Sequence, residues 1–232
     1  MASDRAASAL SWWRESGVDA LVAEEPRDWL NPRAPAAVAT PEAPAMGALP
    51  ETLEAFRSWL ATSPDLPLAR PGARRIGPSG DPASGLMVLV DMPAPADLAA
   101  GALLSGDAGA LFDRMMKAIG RGRDSLYLAP LSPVRTATGT IPADAAVRLA
   151  DIARHHVGLI APKALLLFGG ACAKALLGLP VLRARGRWHQ TATLGRTVRT
   201  LATIRPEKLL GQPGLKKHAW EDLQLLMEGL TP

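Results

Sequence analysis

The chain is poor in cysteine, in aromatic residues and in long apolar runs. It contains a single cysteine, Cys172, among 232 residues, which excludes an intrachain disulfide and a metal site built from several cysteines. No stretch approaches the ~18 consecutive apolar residues that a membrane-spanning helix needs, and the N-terminal residues MASDRAAS lack an apolar signal region. From this composition we expect a cytoplasmic protein without a membrane partner.

Basic charge is scarce in the first half of the chain and abundant in the second. Residues 1–110 contain 8 Lys and Arg against 14 Asp and Glu, whereas residues 111–232 contain 18 against 8. Such an asymmetry is typical of a protein whose C-terminal half contacts a polyanion such as a nucleic acid. Ordinary solvated helix faces are the alternative explanation.

The composition divides the chain into an extension, residues 1–50, and a domain, residues 51–232. Residues 6–22 have the apolar spacing of an amphipathic helix, and residues 31–50 are a linker rich in Pro and Ala. The helix contains the pair Trp12 and Trp13, which is typical of helix packing but also of a segment that docks on a partner protein. A protein partner bound through this N-terminal helix is therefore one hypothesis.

Within the domain, short apolar runs alternate with helical patterns. This alternation predicts an α/β fold with three α/β/α layers, a mostly parallel central sheet of about four strands and an N-terminal helical extension. Ligands of such folds bind beyond the carboxyl ends of the strands. The strand candidates are residues 86–90, 125–131, 164–169 and 197–204, and the helix candidates are residues 51–61, 106–120, 142–158, 172–178 and 215–230.

The helix candidate 142–158 makes specific predictions about burial. Its apolar spacing predicts that Val147, Leu149, Ile152 and Ala153 face the core. The same pattern leaves His155 and His156 on the surface. With only Asp151 one turn away, these histidines are too few ligands for a metal site, and no metal is expected.

Several segments together resemble the uracil-DNA glycosylase superfamily, most closely its bacterial iron–sulfur branch. The resemblance extends from about residue 63 to residue 230, and it implies a DNA-repair fold that holds a base flipped out of the duplex. It rests on the order and spacing of four segments: LMVLVDMPAPAD (86–97), GALLSGDAGALFDRMMKAIG (101–120), IAPKALLLFGGACAKALLG (160–178) and RPEKLLGQPGLKKHAWEDL (205–223).

Carried over residue by residue, the resemblance implies a degenerate base pocket. Val90 stands where the family's first motif has a glycine, and Pro93 lies in the same motif. Leu104 replaces the aromatic residue that stacks on the base, and Pro130 replaces the amide that hydrogen-bonds to the uracil edge. Proline offers neither a side-chain amide nor a backbone N–H. We therefore expect the uracil pocket to be lost or rebuilt.

The resemblance also implies two candidate catalytic residues. Asp91 keeps the carboxylate of the first motif, and Arg205 stands where the family has the histidine that faces the departing base. A guanidinium can stabilise an anionic leaving group, so this pair is compatible with removal of a different damaged base. The alternative is an ordinary salt bridge in an abandoned pocket.

The family's [4Fe-4S] cluster is expected to be absent from this chain. The four cysteine positions of the iron–sulfur branch fall on Ser63, Leu66, Leu149 and Leu165, and none of these residues supplies a thiolate. No cofactor is therefore predicted.

The last third of the chain keeps more of the family's DNA-binding character. The resemblance places an apolar wedge at Leu209 and Leu210, a residue type that parts base steps when a duplex is kinked. Basic residues flank it and are expected to neutralise phosphates. The predicted DNA contacts are Lys208, Leu209, Leu210, Lys216, Lys217, Arg185 and Arg187.

Three functions follow from these observations. The first is a uracil-DNA-glycosylase-like protein that binds DNA with a lost or rebuilt uracil pocket. The second is an active glycosylase that hydrolyses the N-glycosidic bond of another base through Asp91 and Arg205. The third is a protein-interaction module recruited through the N-terminal helix.

Overall fold

The computed structural model of the chain describes residues 48–230. The predicted helix 6–22 and most of the linker lie outside the described residues, so the partner-docking hypothesis and the domain boundary at residue 50 stay predictions. No helix within the described part is long and apolar enough to cross a membrane.

A six-stranded mixed sheet forms the centre of residues 48–230, in the order β1-β3-β2-β4-β6-β5. The four inner strands are parallel to one another, and the edge strands β1 and β5 are antiparallel to their neighbours. The predicted α/β fold is therefore confirmed. The strands are β1 (Ser79–Gly80), β2 (Leu86–Val90), β3 (Tyr127–Pro130), β4 (Ala164–Phe168), β5 (His189–Thr193) and β6 (Arg196–Thr203).

Helices cover both faces of the sheet. Eight α-helices and two short 3-10 turns, Arg123–Ser125 and Pro213–Leu215, lie in residues 48–230. The α-helices are α1 (Leu53–Thr62), α2 (Pro95–Ala100), α3 (Gly106–Ala118), α4 (Ala143–Ile160), α5 (Gly170–Leu177), α6 (Val181–Ala184), α7 (Pro206–Gly211) and α8 (Lys216–Leu230).

The inner strands are apolar along their whole length because both of their faces are buried. All five residues of β2 and all five of β4 are buried. Successive side chains point to opposite faces, so Val88 joins the cluster that contains Phe112 and Leu223, whereas Leu89 joins the cluster that contains Leu149. A strand covered by helices on both sides has no solvent face, and the continuous apolar runs of the sequence follow from this.

The structure corrects two burial predictions for α4. Val147 is 70% exposed, because the buried stripe of this helix runs through Leu149 and Ala153 on another face. His156 is buried instead of exposed, and its Nε2 lies 3.0 Å from the hydroxyl oxygen of Tyr127. Burial, followed by the charges of Arg57 and His155, lowers the pKa of His156 to about 3.

The buried His156 makes stability depend on pH. Its folded-state pKa is below its unfolded value, so its contribution is fully present above about pH 6.5 and falls as the pH drops towards about 3. We expect wild type to lose about 2 kcal/mol more than the double variant Tyr127→Phe/His156→Leu between about pH 7.5 and 4.5. Urea unfolding of both proteins at both pH values measures the difference, and equal losses would contradict this role for His156.

Candidate functional site

Asp91 lies at the carboxyl end of β2 and caps the helix that follows β4. Its Oδ1 accepts a hydrogen bond of 2.8 Å from the backbone N–H of Cys172, in the first turn of α5. Gly169, with φ of 121°, makes this approach possible, because a Cβ there would overlap the carboxylate. A carboxylate at a helix N-terminus satisfies a free N–H and complements the helix dipole.

Arg205 meets Asp91 from the end of β6, as the parallel sheet predicts. Its Nη1 lies 4.0 Å from Oδ2 of Asp91, and its side chain is 47% exposed. The two candidate catalytic residues are thus brought together, but the closer partner of Asp91 is α5. Burial and the neighbouring Asp91 raise the pKa of the Cys172 thiol well above its usual value, which keeps this thiol protonated.

Val90 and Leu104, which the resemblance assigns to the base pocket, are closely packed. They line a cavity of about 10 Å³ together with Phe168, Asp91 and Arg205. That is about the room of a single water molecule. The ring of Phe112 packs edge-on against Phe168 at 5.8 Å and supports this apolar wall.

The loop that carries Leu104 keeps its shape through residues that the sequence reasoning did not assign to the site. Leu104 has φ of 51°, and its carbonyl accepts a hydrogen bond from Arg123. A Cβ at Gly109 would overlap this carbonyl, so the helix can approach the loop only with glycine there. Asp97 accepts hydrogen bonds from the N–H groups of Ser105 and Ala94, at 2.7 and 2.9 Å.

The two prolines of the predicted pocket, Pro130 and Pro93, fit the backbone hydrogen bonding of the fold. Pro130 pairs with Val90 across β2 and β3, and the N–H of the next residue, Leu131, donates to Val90. The nitrogen of Pro130 therefore points towards β1, which pairs only with earlier residues of β3, so the missing N–H costs no ladder bond. The carbonyl of Pro93 accepts a hydrogen bond of 2.9 Å from Arg135.

A larger opening also borders Asp91. We call it the crest cleft; its volume is about 420 Å³, and it is lined by polar and basic residues beside apolar ones. Its polar lining is formed by Asp91, Gly139, Thr140, Gly169, Gly170, Lys174, Arg205 and Lys208.

The predicted apolar wedge is divided between core and surface. Leu209 is 1% exposed and packs with Leu111, Ile204 and Ala219, so its burial removes it from any contact with DNA. Leu210 is 40% exposed and remains available. The lysines on either side, Lys208, Lys216 and Lys217, are exposed as predicted.

Arg185 differs from the prediction because it belongs to a buried ion-pair network. Its Nε donates to Asp222 at 3.1 Å, and its Nη2 donates to Glu221 and to the carbonyl of His218. Its side chain is 15% exposed, so it ties the chain after α6 to α8 instead of facing a ligand. Thr203 also donates to Asp222 at 2.8 Å. Arg187 is exposed.

The four positions expected to replace cluster cysteines do not fit an iron–sulfur cluster. Leu149 and Leu165 are fully buried in the layer between α4 and the sheet, whereas Leu66 packs beneath α1. The hydroxyl of Ser63 accepts a hydrogen bond from the N–H of Asp65. Three leucines divided between two apolar clusters and one serine hydroxyl offer no ligand set for such a group.

These observations define an α/β protein whose candidate site lies at the carboxyl edge of a parallel sheet. The family model of the Uracil DNA glycosylase superfamily matches residues 78–224, and the chain belongs to this superfamily. It is similar to the Type-4 uracil-DNA glycosylase of Pyrobaculum aerophilum, with 24% identity over 157 residues. That alignment covers 65% of this chain and 80% of the relative, which agrees with the resemblance to the type-4 branch.

The capping geometry predicts what loss of the Asp91 carboxylate does. We expect Asp91→Ala to lower the free energy of unfolding by about 1 kcal/mol, because the N–H of Cys172 loses its acceptor. Glu228→Ala is the control, since Glu228 is an exposed carboxylate on α8. Urea unfolding measures both variants, and equal stabilities of Asp91→Ala and the control would contradict the capping role.

Proposed function

We propose that this protein binds DNA at the surface that follows β6 and does not excise uracil. The observation that carries the proposal is the cavity of about 10 Å³ lined by Val90 and Leu104, which the resemblance assigns to the base pocket. A nucleobase cannot enter a space of that size unless Val90, Leu104 or Phe168 moves. Membership of the superfamily supports DNA as the partner.

The chemistry of the pocket also argues against uracil. A flipped base is read by hydrogen bonds to its edge and by stacking, and sites that hydrogen-bond their substrate discriminate by about 10⁴-fold. Pro130 supplies no such bond, and Leu104 supplies no aromatic face. We further propose that the protein works without an iron–sulfur cluster, because its candidate ligand positions hold no thiol.

The DNA surface proposed here consists of α7, the turn Pro213–Leu215 and the first turn of α8. Lys216 and Lys217 occupy that first turn, which contains no acidic residue. Cations beside the positive end of a helix dipole cost about 0.3–1 kcal/mol each. Phosphates would relieve this repulsion, and the exposed Leu210 on α7 would supply an apolar contact for a base step.

A glycosylase for another base is the second candidate function. Asp91 and Arg205 both line the crest cleft, which is far larger than the closed pocket. In that case Arg205 would stabilise the departing base electrostatically, and Asp91 would orient the attacking water or offset the positive charge on the sugar. Recruitment of a protein partner through residues 6–22 is a separate hypothesis, and deletion of residues 1–50 tests it in a pull-down.

The DNA surface makes a prediction about salt dependence. We expect Lys216→Ala/Lys217→Ala to weaken duplex binding and to reduce the slope of log affinity against log salt by about 2, because two phosphate contacts are lost. Lys117→Ala/Lys163→Ala is the matched control: Lys117 lies in the last turn of α3 and Lys163 just before β4, at the opposite edge of the sheet. Identical salt slopes for the two double variants would refute the proposed surface.

The closed pocket makes a prediction about activity. We expect no strand breaks above background when duplexes or single strands that contain uracil are incubated with the protein and treated with alkali. Parallel substrates that contain hypoxanthine or xanthine test the second candidate function. Breaks at uracil that disappear in Asp91→Ala would overturn the proposal, and breaks only at another base would establish that second function.

A further inference from the structure

A second opening, between α4 and α5, adjoins the crest cleft. The second opening also measures about 420 Å³, and the two share Ile141, Ala171 and Lys174 as lining residues. We call it the alanine hollow because Ala143, Ala146, Ala150 and Ala175 line it. The two openings therefore adjoin at these three residues, and each has the size of a small-ligand site; we call the two together the channel.

The crest end of this channel is positively charged. Lys174 and Lys208 are exposed, and neither ammonium group has an ion-pair partner within residues 48–230. Arg205 reaches Asp91 only at 4.0 Å. The carboxylate of Asp91 is directed to the N–H of Cys172, so three cations at this end face a single carboxylate that α5 already holds.

The hollow end is apolar apart from Arg154 and from Lys174, which it shares with the crest cleft. Small alanine side chains on facing helices leave the space open, and Val147 stands at its rim with 70% of its surface exposed. Arg154 lies in the wall, but its guanidinium is occupied by Asp151 and by the carbonyl of Ala175. An exposed apolar side chain beside an apolar hollow indicates a surface that a ligand covers.

We propose that this channel binds single-stranded nucleic acid, with phosphates at Lys174, Arg205 and Lys208 and one unstacked base in the alanine hollow. The proposal deepens the proposed function, on which it rests for its choice of nucleic acid. Anionic groups at one end and a flat apolar group at the other match the two ends of the channel. A base in a duplex is stacked and paired, so its entry into the hollow would cost about a few kcal/mol of unstacking and unpairing that an unpaired strand avoids.

The lining also defines specificity. Apart from Arg154, whose guanidinium is already hydrogen-bonded, and Lys174, the side chains that bound the hollow are aliphatic and offer no hydrogen-bond pattern to a base edge. The site should therefore bind a strand that carries bases more tightly than an abasic strand, without preferring one base over another. Thr140 contributes a hydroxyl to the lining of the crest cleft, and its Oγ1 lies 2.9 Å from that of Thr138.

The test compares three ligands on the full chain by fluorescence anisotropy: a thymidine strand of about 12 nucleotides, the same strand with abasic sites, and a duplex. We expect the thymidine strand to bind about tenfold more tightly than the abasic strand. Ala146→Trp, which fills the hollow, should remove this difference. Val147→Asp should also remove the difference between the two strands, and it should not prevent folding because Val147 is exposed. Duplex binding should not change.

The phosphate end has its own variant and control. Lys174→Ala should weaken both single strands and lower their salt slope by about 0.7, the value for one phosphate contact on a single strand. Lys163→Ala, at the opposite edge of the sheet, should leave both unchanged.

Equal binding of the thymidine and abasic strands by wild type would overturn the proposal, as would wild-type behaviour of Val147→Asp. If the duplex then still binds through Lys216 and Lys217, only this inference fails. If wild type binds no nucleic acid, the proposed function fails with it.

Binding of an acidic, leucine-containing peptide that Ala146→Trp abolishes, without an effect on the strands, would assign the channel to a protein partner and overturn the proposal.

Discussion

The hydrogen bond between the Asp91 carboxylate and the Cys172 N–H is the contact around which the carboxyl edge of the sheet is arranged. It fixes the start of α5 against the end of β2, and it requires glycine at position 169 because any Cβ would occupy the place of the carboxylate. Asp91 borders both the closed pocket and the crest cleft. The shape of both therefore depends on one capping interaction between adjacent parallel strands.

The scaffold of the site and its chemistry have separate determinants. Asp97, Gly109 and Arg123 hold the Leu104 loop through backbone groups, and none of these contacts depends on the side chain at position 104. The resemblance implies an aromatic residue at position 104 in relatives, and the same backbone contacts can hold the loop with either side chain. A fold can keep its shape while the side chains that determine function differ.

Much of the fold could be predicted because buried parallel strands leave an unmistakable apolar signature. The meeting of Asp91 and Arg205 followed from the same rule, since both residues end parallel strands. β1 and β5 were not predicted: β1 has two residues, and β5 is a polar edge strand, HQTAT. Val147 and His156 were assigned to the wrong faces because helical spacing gives the period of a stripe but not which neighbour covers it.

The remaining errors in the site concern contacts between residues far apart in the sequence. Arg185 lies in a basic cluster of the sequence. No neighbouring residue in the sequence indicates that it forms an ion pair with Asp222, 37 positions later. Leu209 and Leu210 are chemically identical neighbours, and only the packing of Ile204 and Ala219 decides which of them is buried. Local composition indicates that a segment is basic or apolar, but tertiary contacts decide which members reach solvent.

The placement of Cys172 has a consequence for how the protein can be handled. It is the chain's single cysteine, its side chain is fully buried, and its backbone N–H is held by Asp91. Alkylating reagents attack thiolates that they can reach, so a native molecule should resist labelling and covalent pairing with another copy. The rate at which such a reagent labels Cys172 would then measure how often α5 opens locally and exposes the thiol.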